Sequence, residues 1–299
     1  VVDIAKAGRP DLVLVAGDLY DSIAPTPEAT RIVTRALSAL RATGARVVAI
    51  AGNHDNGAAL DALRPWADAA GIELRGTVRT AADHVIDGVT ASGEPWRLVA
   101  LPFLSRRYAV RATEMFELTV AEASQTYADH LARLFSVLGG RFGPETVNLV
   151  TAHLTVVGAK TGGGERDAHT IDAYAVPATI FPASAHYVAL GHLHRRQQVD
   201  APCPVHYCGS PLAVDFGEEQ NSPSVTVVEL TAESTAKTRD VPISSAAVLR
   251  TVRGTLDDLA AIAKQAECGV AGLGDAWLRV YVRERPRAGL REEVQALLP

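Results

Sequence analysis

Three cysteines, Cys203, Cys208 and Cys268, are too few in 299 residues to form a disulfide framework, so a reducing cytoplasm is the expected compartment. Long apolar runs are also missing. Stretches such as Leu12–Ala16 and Val47–Ala51 fall far short of the ~20 residues that a membrane-crossing helix needs, which excludes a transmembrane span. Nor is there an excess of positive charge. At a net charge of −5 the chain does not coat nucleic acid by bulk electrostatics, and any DNA contact has to come from local basic patches and bound metal. No internal repeat is visible. What is left is an ordinary globular composition, 47% hydrophobic and 21% charged, long enough for one large domain and a small one.

The two ends read as cut. Val1–Ala7 has the pattern of the tail of an amphipathic helix without an N-cap, and the chain stops at Leu298-Pro299 straight after a helical pattern. A targeting segment beyond them stays open.

Between the ends, strand-like and helix-like patterns alternate. Asp11–Ala16 is an unbroken apolar run of the kind that forms a strand buried on both faces. It leads into Gly17-Asp18-Leu19-Tyr20-Asp21 and a helix over Pro27–Ala42. Arg46–Ala51 repeats the scheme, leading into Gly52-Asn53-His54-Asp55 and a helix over Ala58–Ala70. Shorter strands follow near Ile72–Leu74, His84–Ile86 and Arg97–Leu101, then a helical stretch over Arg111–Leu138. Val147–Ala152 is a strand ending at His153, and Gly158–His169 reads as a mobile loop. His186–Leu190 ends at Gly191-His192-Leu193-His194, followed by the strand-like Val205–Cys208, Ser224–Leu230 and Lys237–Ile243. The tail reads as strand Val248–Val252, helix Thr255–Gln265 capped by Thr255, strand Ala276–Val282 and helix Leu290–Leu298. These patterns predict an α/β sandwich with its site at the carboxyl ends of the strands, plus a small α+β unit. The expected boundary lies near Ser244-Ser245, giving domains 1–244 and 245–299.

Four polar clusters each follow an apolar strand: Asp18 with Asp21; Asn53 with His54 and Asp55; His153; and His192 with His194. One histidine at a strand end is more often a hydrogen-bonded core residue, and an aspartate after glycine often only caps a loop. Four such clusters in one chain point to a shared crevice, with Gly17, Gly52 and Gly191 leaving room for an ion or a phosphate. Imidazole, carboxylate and amide oxygen together suit manganese or iron, with zinc also compatible; the lack of thiolate disfavours a structural zinc site. A carboxylate such as Asp18 can bridge two ions, and an ion pair roughly 3.5–4 Å apart activates water for attack on phosphorus. His54 and Asn53 are neighbours at a strand end and point different ways, so both are not expected to hold the same ion. His84, His130, His169, His186 and His206 lack ligand-type neighbours and read as structural. Two basic pairs, Arg106-Arg107 and Arg195-Arg196, emerge on the site side as phosphate contacts or as plain solvated charge.

With those residues assembled, the sequence resembles the calcineurin-like metallophosphoesterases, and within them the SbcD-type exonuclease subunits. GDLYD, GNHD, the lone His153 and GHLH occur in the family's order, and LVTAHLTVVGAK, YVALGHLHR and HYCGSPLAVDFGEE look SbcD-like. The resemblance implies a metallophosphoesterase β-sandwich flanked by helices, and in the tail from Val248 a DNA-facing capping domain. It also implies two divalent ions, most often manganese, with iron, magnesium or zinc as alternatives. Asp18 would bridge them; Asn53, His153 and His192 would complete one site, and His194 would serve the other. His54 would act on the phosphate, oriented by Asp21. The family opens with a strand ending in Asp-x-His that has no counterpart here, so the first strand and two ligands of one site are expected to be missing. The implied activity is metal-dependent hydrolysis of DNA at ends, in repair and recombination, with an SbcC-type ATPase and a homodimer built on the helices near Pro27–Ala42 or Ala58–Ala70. The alternatives are a phosphatase or phosphodiesterase for small substrates, and a non-catalytic protein that only binds DNA.

Overall fold

The computed structural model describes residues 1–115, 126–165, 174–244, 248–267 and 276–298. The elements, in chain order, begin with α1 (Val2–Gly8), β1 (Leu12–Val15), α2 (Pro27–Arg41), β2 (Arg46–Ile50), α3 (Gly57–Ala62), α4 (Arg64–Ala69) and β3 (Ile72–Arg75). Next come β4 (Val85–Val89), β5 (Pro95–Leu101), α5 (Arg106–Met115), α6 (Tyr127–Gly139), β6 (Val147–His153), β7 (Thr155–Val156) and β8 (Ala175–Val176). They are followed by β9 (Tyr187–Gly191), β10 (Gln197–Val199), β11 (Val205–Tyr207), β12 (Ser224–Glu229) and β13 (Lys237–Pro242). The last are β14 (Leu249–Gly254), α7 (Leu256–Glu267), β15 (Trp277–Val282) and α8 (Leu290–Leu297).

Two sheets face each other. One is parallel, in the order β1-β2-β3; the other has six strands in the order β10-β11-β9-β6-β5-β4, parallel from β11 through β5 and antiparallel at both edges. The period-two alternation of a strand explains how both faces of each sheet are covered. Along β2, Val48 and Ile50 turn inward to meet Trp96, Leu98 and Ala100 of β5 and Leu149 of β6. Val47 and Ala49 turn outward to Leu37 and Leu40 of α2 and Leu60 of α3. On the far side, Val99, Leu101, Val150 and Ala152 pack against Leu131, Leu134, Phe135 and Leu138 of α6. Each such aliphatic side chain, fully buried, contributes about 1.5–3 kcal/mol. The layers are therefore helices, sheet, sheet, helices, as the α/β sandwich pattern predicts.

Helix starts follow their caps. Thr26 accepts from the Ala29 amide at 3.1 Å ahead of Pro27, and Thr126 forms a capping box with Asp129. The tail carries a core of its own, in which Val252 and Leu259 pack with Ile262, Leu278, Val280, Val282 and Val294. There β14 and β15 are parallel and joined through α7, whose start is capped by Thr255 and Asp258.

The short strands β7, β8 and β10 were not expected, and three further details differ from the expectations. β1 is only half-buried along its length, because it lies at the edge of its sheet with β2 as its paired neighbour. The helix expected over Ala58–Ala70 breaks in two at Leu63, where Pro65 lacks the N–H that would continue the ladder. The stretch read as one helix over Arg111–Leu138 contains α5 and α6, and residues 116–125 between them lie outside the described residues. The expected domain boundary abuts residues 245–247, also outside them. No helix among the described residues is long and apolar enough to cross a membrane.

Candidate metal centre

The site lies where two adjacent parallel strands from each sheet end together. β1 and β2 deliver Asp18 and Asn53; β6 and β9 deliver His153 and His192, with His153 in register with Gly191. The backbone bends sharply at these ends. Gly17 has φ +93°, Asp18 +52° and His192 +95°, so two residues with side chains hold a conformation that ordinarily favours glycine. At Gly17 glycine is required twice over, since a Cβ there would also overlap Nδ1 of His153.

The four side chains converge closely. Asn53 Oδ1 lies 2.9 Å from His153 Nε2 and 2.8 Å from His192 Nδ1, and Asp18 Oδ2 lies 3.2 Å from His153 Nε2. Ligand atoms of Asp18, His153 and His192 all fall within 4.8 Å of one another. Separations near 3 Å are what two ligands at right angles adopt around an ion bound at about 2.1 Å.

The hydrogen bonding sharpens the fit. Nδ1 of His153 donates to the Ala16 carbonyl at 2.7 Å, which fixes the tautomer and leaves Nε2 with a bare lone pair. That lone pair faces two oxygens, Asp18 Oδ2 and Asn53 Oδ1, in a buried setting. Three lone pairs turned on one another need a cation between them. The residues present fit a divalent ion.

The other expected residues fall around this centre. The His54 amide donates to Asp18 Oδ1 at 2.9 Å, while its ring turns away and places Nδ1 2.9 Å from the Asp21 carbonyl oxygen. The Asp21 carboxylate is further off, at 3.7 Å, and its side chain is 93% exposed. His194 stands outside the tight cluster and donates through Nδ1 to Glu218, a carboxylate with 1% exposure. Burial lowers the pKa of His194, but the hydrogen bond and charge of Glu218, with the charges of Glu165 and Asp18, raise it above the ordinary histidine value. Arg106, Arg107 and Arg195 are exposed, whereas Arg196 is ion-paired with Asp240 of β13. His84 and His186 are held by main-chain hydrogen bonds in the body of the fold, away from the site, and His169 lies outside the described residues.

Three acidic residues hold the frame, and two of them, Glu165 and Glu218, were not singled out in the sequence. Asp55 accepts from the amides of Leu19, Tyr20 and Gly52, tying the two aspartate- and asparagine-bearing loops together. Burial pushes its pKa up in spite of those donors. Glu165 accepts from the amides of Gly162, Gly163 and His194, so the described part of the loop expected to be mobile, 158–165, is anchored beside the site. Glu218 is the third. Asp55 is visible in the GNHD motif, but Glu165 and Glu218 lie 29 and 24 residues from His194 and have no spacing signal.

Residues 1–196 match the family described as calcineurin-like phosphoesterase. The chain is 35% identical over 248 residues to the SbcD subunit of nuclease SbcCD from Bacillus subtilis, covering 81% of the chain and 62% of that relative. It is 31% identical over 277 residues to the SbcD subunit of the same nuclease from Escherichia coli, covering 89% and 66%, and 31% identical over 257 residues to that from Rhodobacter capsulatus, covering 81% and 61%. The chain thus spans just under two thirds of the length of these curated relatives.

Proposed function

The chain belongs to the calcineurin-like phosphoesterase family, and on that premise we propose that it is the phosphoesterase core of a metal-dependent DNA nuclease acting at DNA ends with an SbcC-type ATPase. The observation that carries this reading is the meeting of Asp18, Asn53, His153 and His192 at four strand ends. The relatives' names, which make them SbcD subunits of the nuclease SbcCD, support the substrate class and the partner.

Asp18, Asn53, His153 and His192 hold one divalent ion; Asp18 and His194 serve a second. Manganese is the proposed metal, as the family resemblance implies, and the donors, carboxylate, amide and imidazole without thiolate, are compatible with it as they are with iron. Bound there, the ions supply Lewis acidity at phosphorus and an activated water. His54 does not ligate. Its Nδ1 proton is committed to the Asp21 carbonyl, so a proton reaches the leaving oxygen through Nε2. The Asp21 carboxylate lies 3.7 Å from the ring. Arg106, Arg107 and Arg195 contact the DNA phosphates, and Arg196 contributes less because Asp240 already engages it. A homodimer forms through the outer face of α2, where Ile32 is exposed. The setting is the cytoplasm.

The test is hydrolysis of linear duplex DNA by the protein that carries this chain, with manganese. Nucleotide release that stops on chelation and in Asn53→Ala is expected. Efficient cleavage of a phosphomonoester or a cyclic nucleotide with DNA left intact would replace this reading by one of a small-substrate phosphoesterase.

A further inference from the structure

The turn 215–219 has two sets of partners. Towards the metal centre, Glu218 accepts from His194 Nδ1 through Oε1 and from the Val214 amide through Oε2, at 3.0 Å for the latter. Gly217 packs so closely on Gly163, in the loop anchored by Glu165, that no Cβ fits at Gly163. Just beyond the turn, Asn221 donates to the Gly162 carbonyl at 3.1 Å. Towards the C-terminal unit, Glu219 Oε2 accepts from the Thr251 amide of β14 at 3.0 Å. Asp215 pairs with Arg279 of β15 at 3.7 Å, and the Arg279 guanidinium lies over the Phe216 ring, 4.5 Å from its centroid. Five consecutive residues, capped internally by Asp215 on the Gly217 amide at 2.6 Å, therefore divide between the seat of the C-terminal unit and the ring of His194.

From this arrangement we propose that Glu218 is a positioning residue for His194, and that the 215–219 turn makes the setting of that ring depend on how the C-terminal unit is seated. A short capped turn moves as one piece. A shift of β14 and β15 against it displaces Asp215, Phe216 and Glu219, and Glu218 goes with them. The only described acceptor on His194 Nδ1 is Glu218, so the ring follows. Because Nδ1 carries the proton given to Glu218, Nε2 is the nitrogen left for a ligand. Glu218 thus fixes which nitrogen is offered and in what direction, and the C-terminal unit gains a mechanical hold on one metal position but not on the other. The other position rests on Asn53, His153 and His192, which hydrogen-bond to one another and to the Ala16 carbonyl.

The inference rests on the reading of His194 as a ligand, and the test separates the two. Ring-nitrogen spectra of metal-free protein labelled at histidine report the setting of His194 directly. In Glu218→Gln the Nδ1 resonance of His194 should move, and in Arg279→Ala, a substitution at the half-exposed seat of the C-terminal unit, it should move the same way by less, with His84 unchanged in both. Manganese titration calorimetry on the protein that carries this chain then reads the consequence. Glu218→Gln should weaken the looser ion about 10–100-fold and leave the tighter one as it was. A His194 ring unmoved by Glu218→Gln overturns the positioning role, and one unmoved by Arg279→Ala overturns the coupling. Equal weakening of both ions overturns the selectivity. If the unsubstituted protein takes up no manganese, the metal reading fails, while the metal-free spectra still decide whether Glu218 and the turn set the ring.

Discussion

His54 is held by its own amide on Asp18 and by its ring on the Asp21 carbonyl, so removing the imidazole leaves the hold on the Asp18 carboxylate intact and gives up one ring contact to the loop. His54→Ala should keep metal and DNA binding and lose roughly 10²–10⁴ in hydrolysis, measured as single-turnover rates beside elemental analysis. Loss of an ion in that variant would make His54 a ligand. Asp21→Asn should be milder, because the main-chain acceptor remains. Asp55 carries a structural load instead. Asp55→Ala leaves the buried amides of Tyr20 and Gly52 and the half-buried amide of Leu19 without their acceptor and should lower stability by about 3–5 kcal/mol in urea titration. A loss under about 1 kcal/mol would show that other groups satisfy those amides. Glu165 gives a pH signature. Burial opposes its charge, but the amides of Gly162, His194 and Gly163 hold its pKa below the usual value. A carboxyl depressed in the folded state stabilises fully above its unfolded pKa of about 4.3 and loses that contribution as pH falls through the lower folded value. Amide exchange at Gly162, Gly163 and His194 should therefore accelerate, beyond its intrinsic rate, only in acid below that range, and Glu165→Gln should remove the step. Asp18, Asn53 and His192 were legible because each follows a glycine at the end of an apolar run, and His153 because it closes such a run. Glu165 and Glu218 were not, since their partners are set by how distant loops pack and not by local sequence.

At the scale of elements, the long inner strands were read closely because two sheets covered on both faces demand continuous apolar runs, whereas the short β7, β8 and β10 carry no such run and were missed. The same reading overestimated the burial of β1, since an apolar run does not reveal that a strand stands at an edge. It also fused α3 with α4, because helical periodicity carried across Pro65 outweighed the missing N–H. The strand ends are the stiff part of the site. Gly17→Ala forces a side chain into a left-handed backbone position and onto the His153 ring, and the Ala16 carbonyl that orients this ring is its neighbour. The variant should lose metal affinity together with about 1–3 kcal/mol of stability, read by calorimetry and thermal unfolding. Full affinity in Gly17→Ala would show that the turn adapts and that its geometry is not what orients His153.

Across the whole molecule, the negative net charge and the local arginines pull in opposite directions. Affinity for DNA should fall steeply with salt, and replacing Arg106 and Arg107 by alanine should reduce the slope by roughly one unit for each phosphate no longer neutralised, read by fluorescence anisotropy. The same change at Arg196 should do less, because Asp240 already neutralises it. An unchanged slope after removal of Arg106 and Arg107 would move the DNA path elsewhere. The fold brings two pairs of strands from two sheets to one point, and the proposed chemistry stands or falls on whether that point holds an ion. Manganese titration calorimetry measures this most directly. The chain should bind about one manganese tightly, through Asp18, Asn53, His153 and His192, and Asn53→Ala should abolish that binding while leaving the protein folded. Tight binding that survives Asn53→Ala, or no binding by the unsubstituted chain, would contradict it.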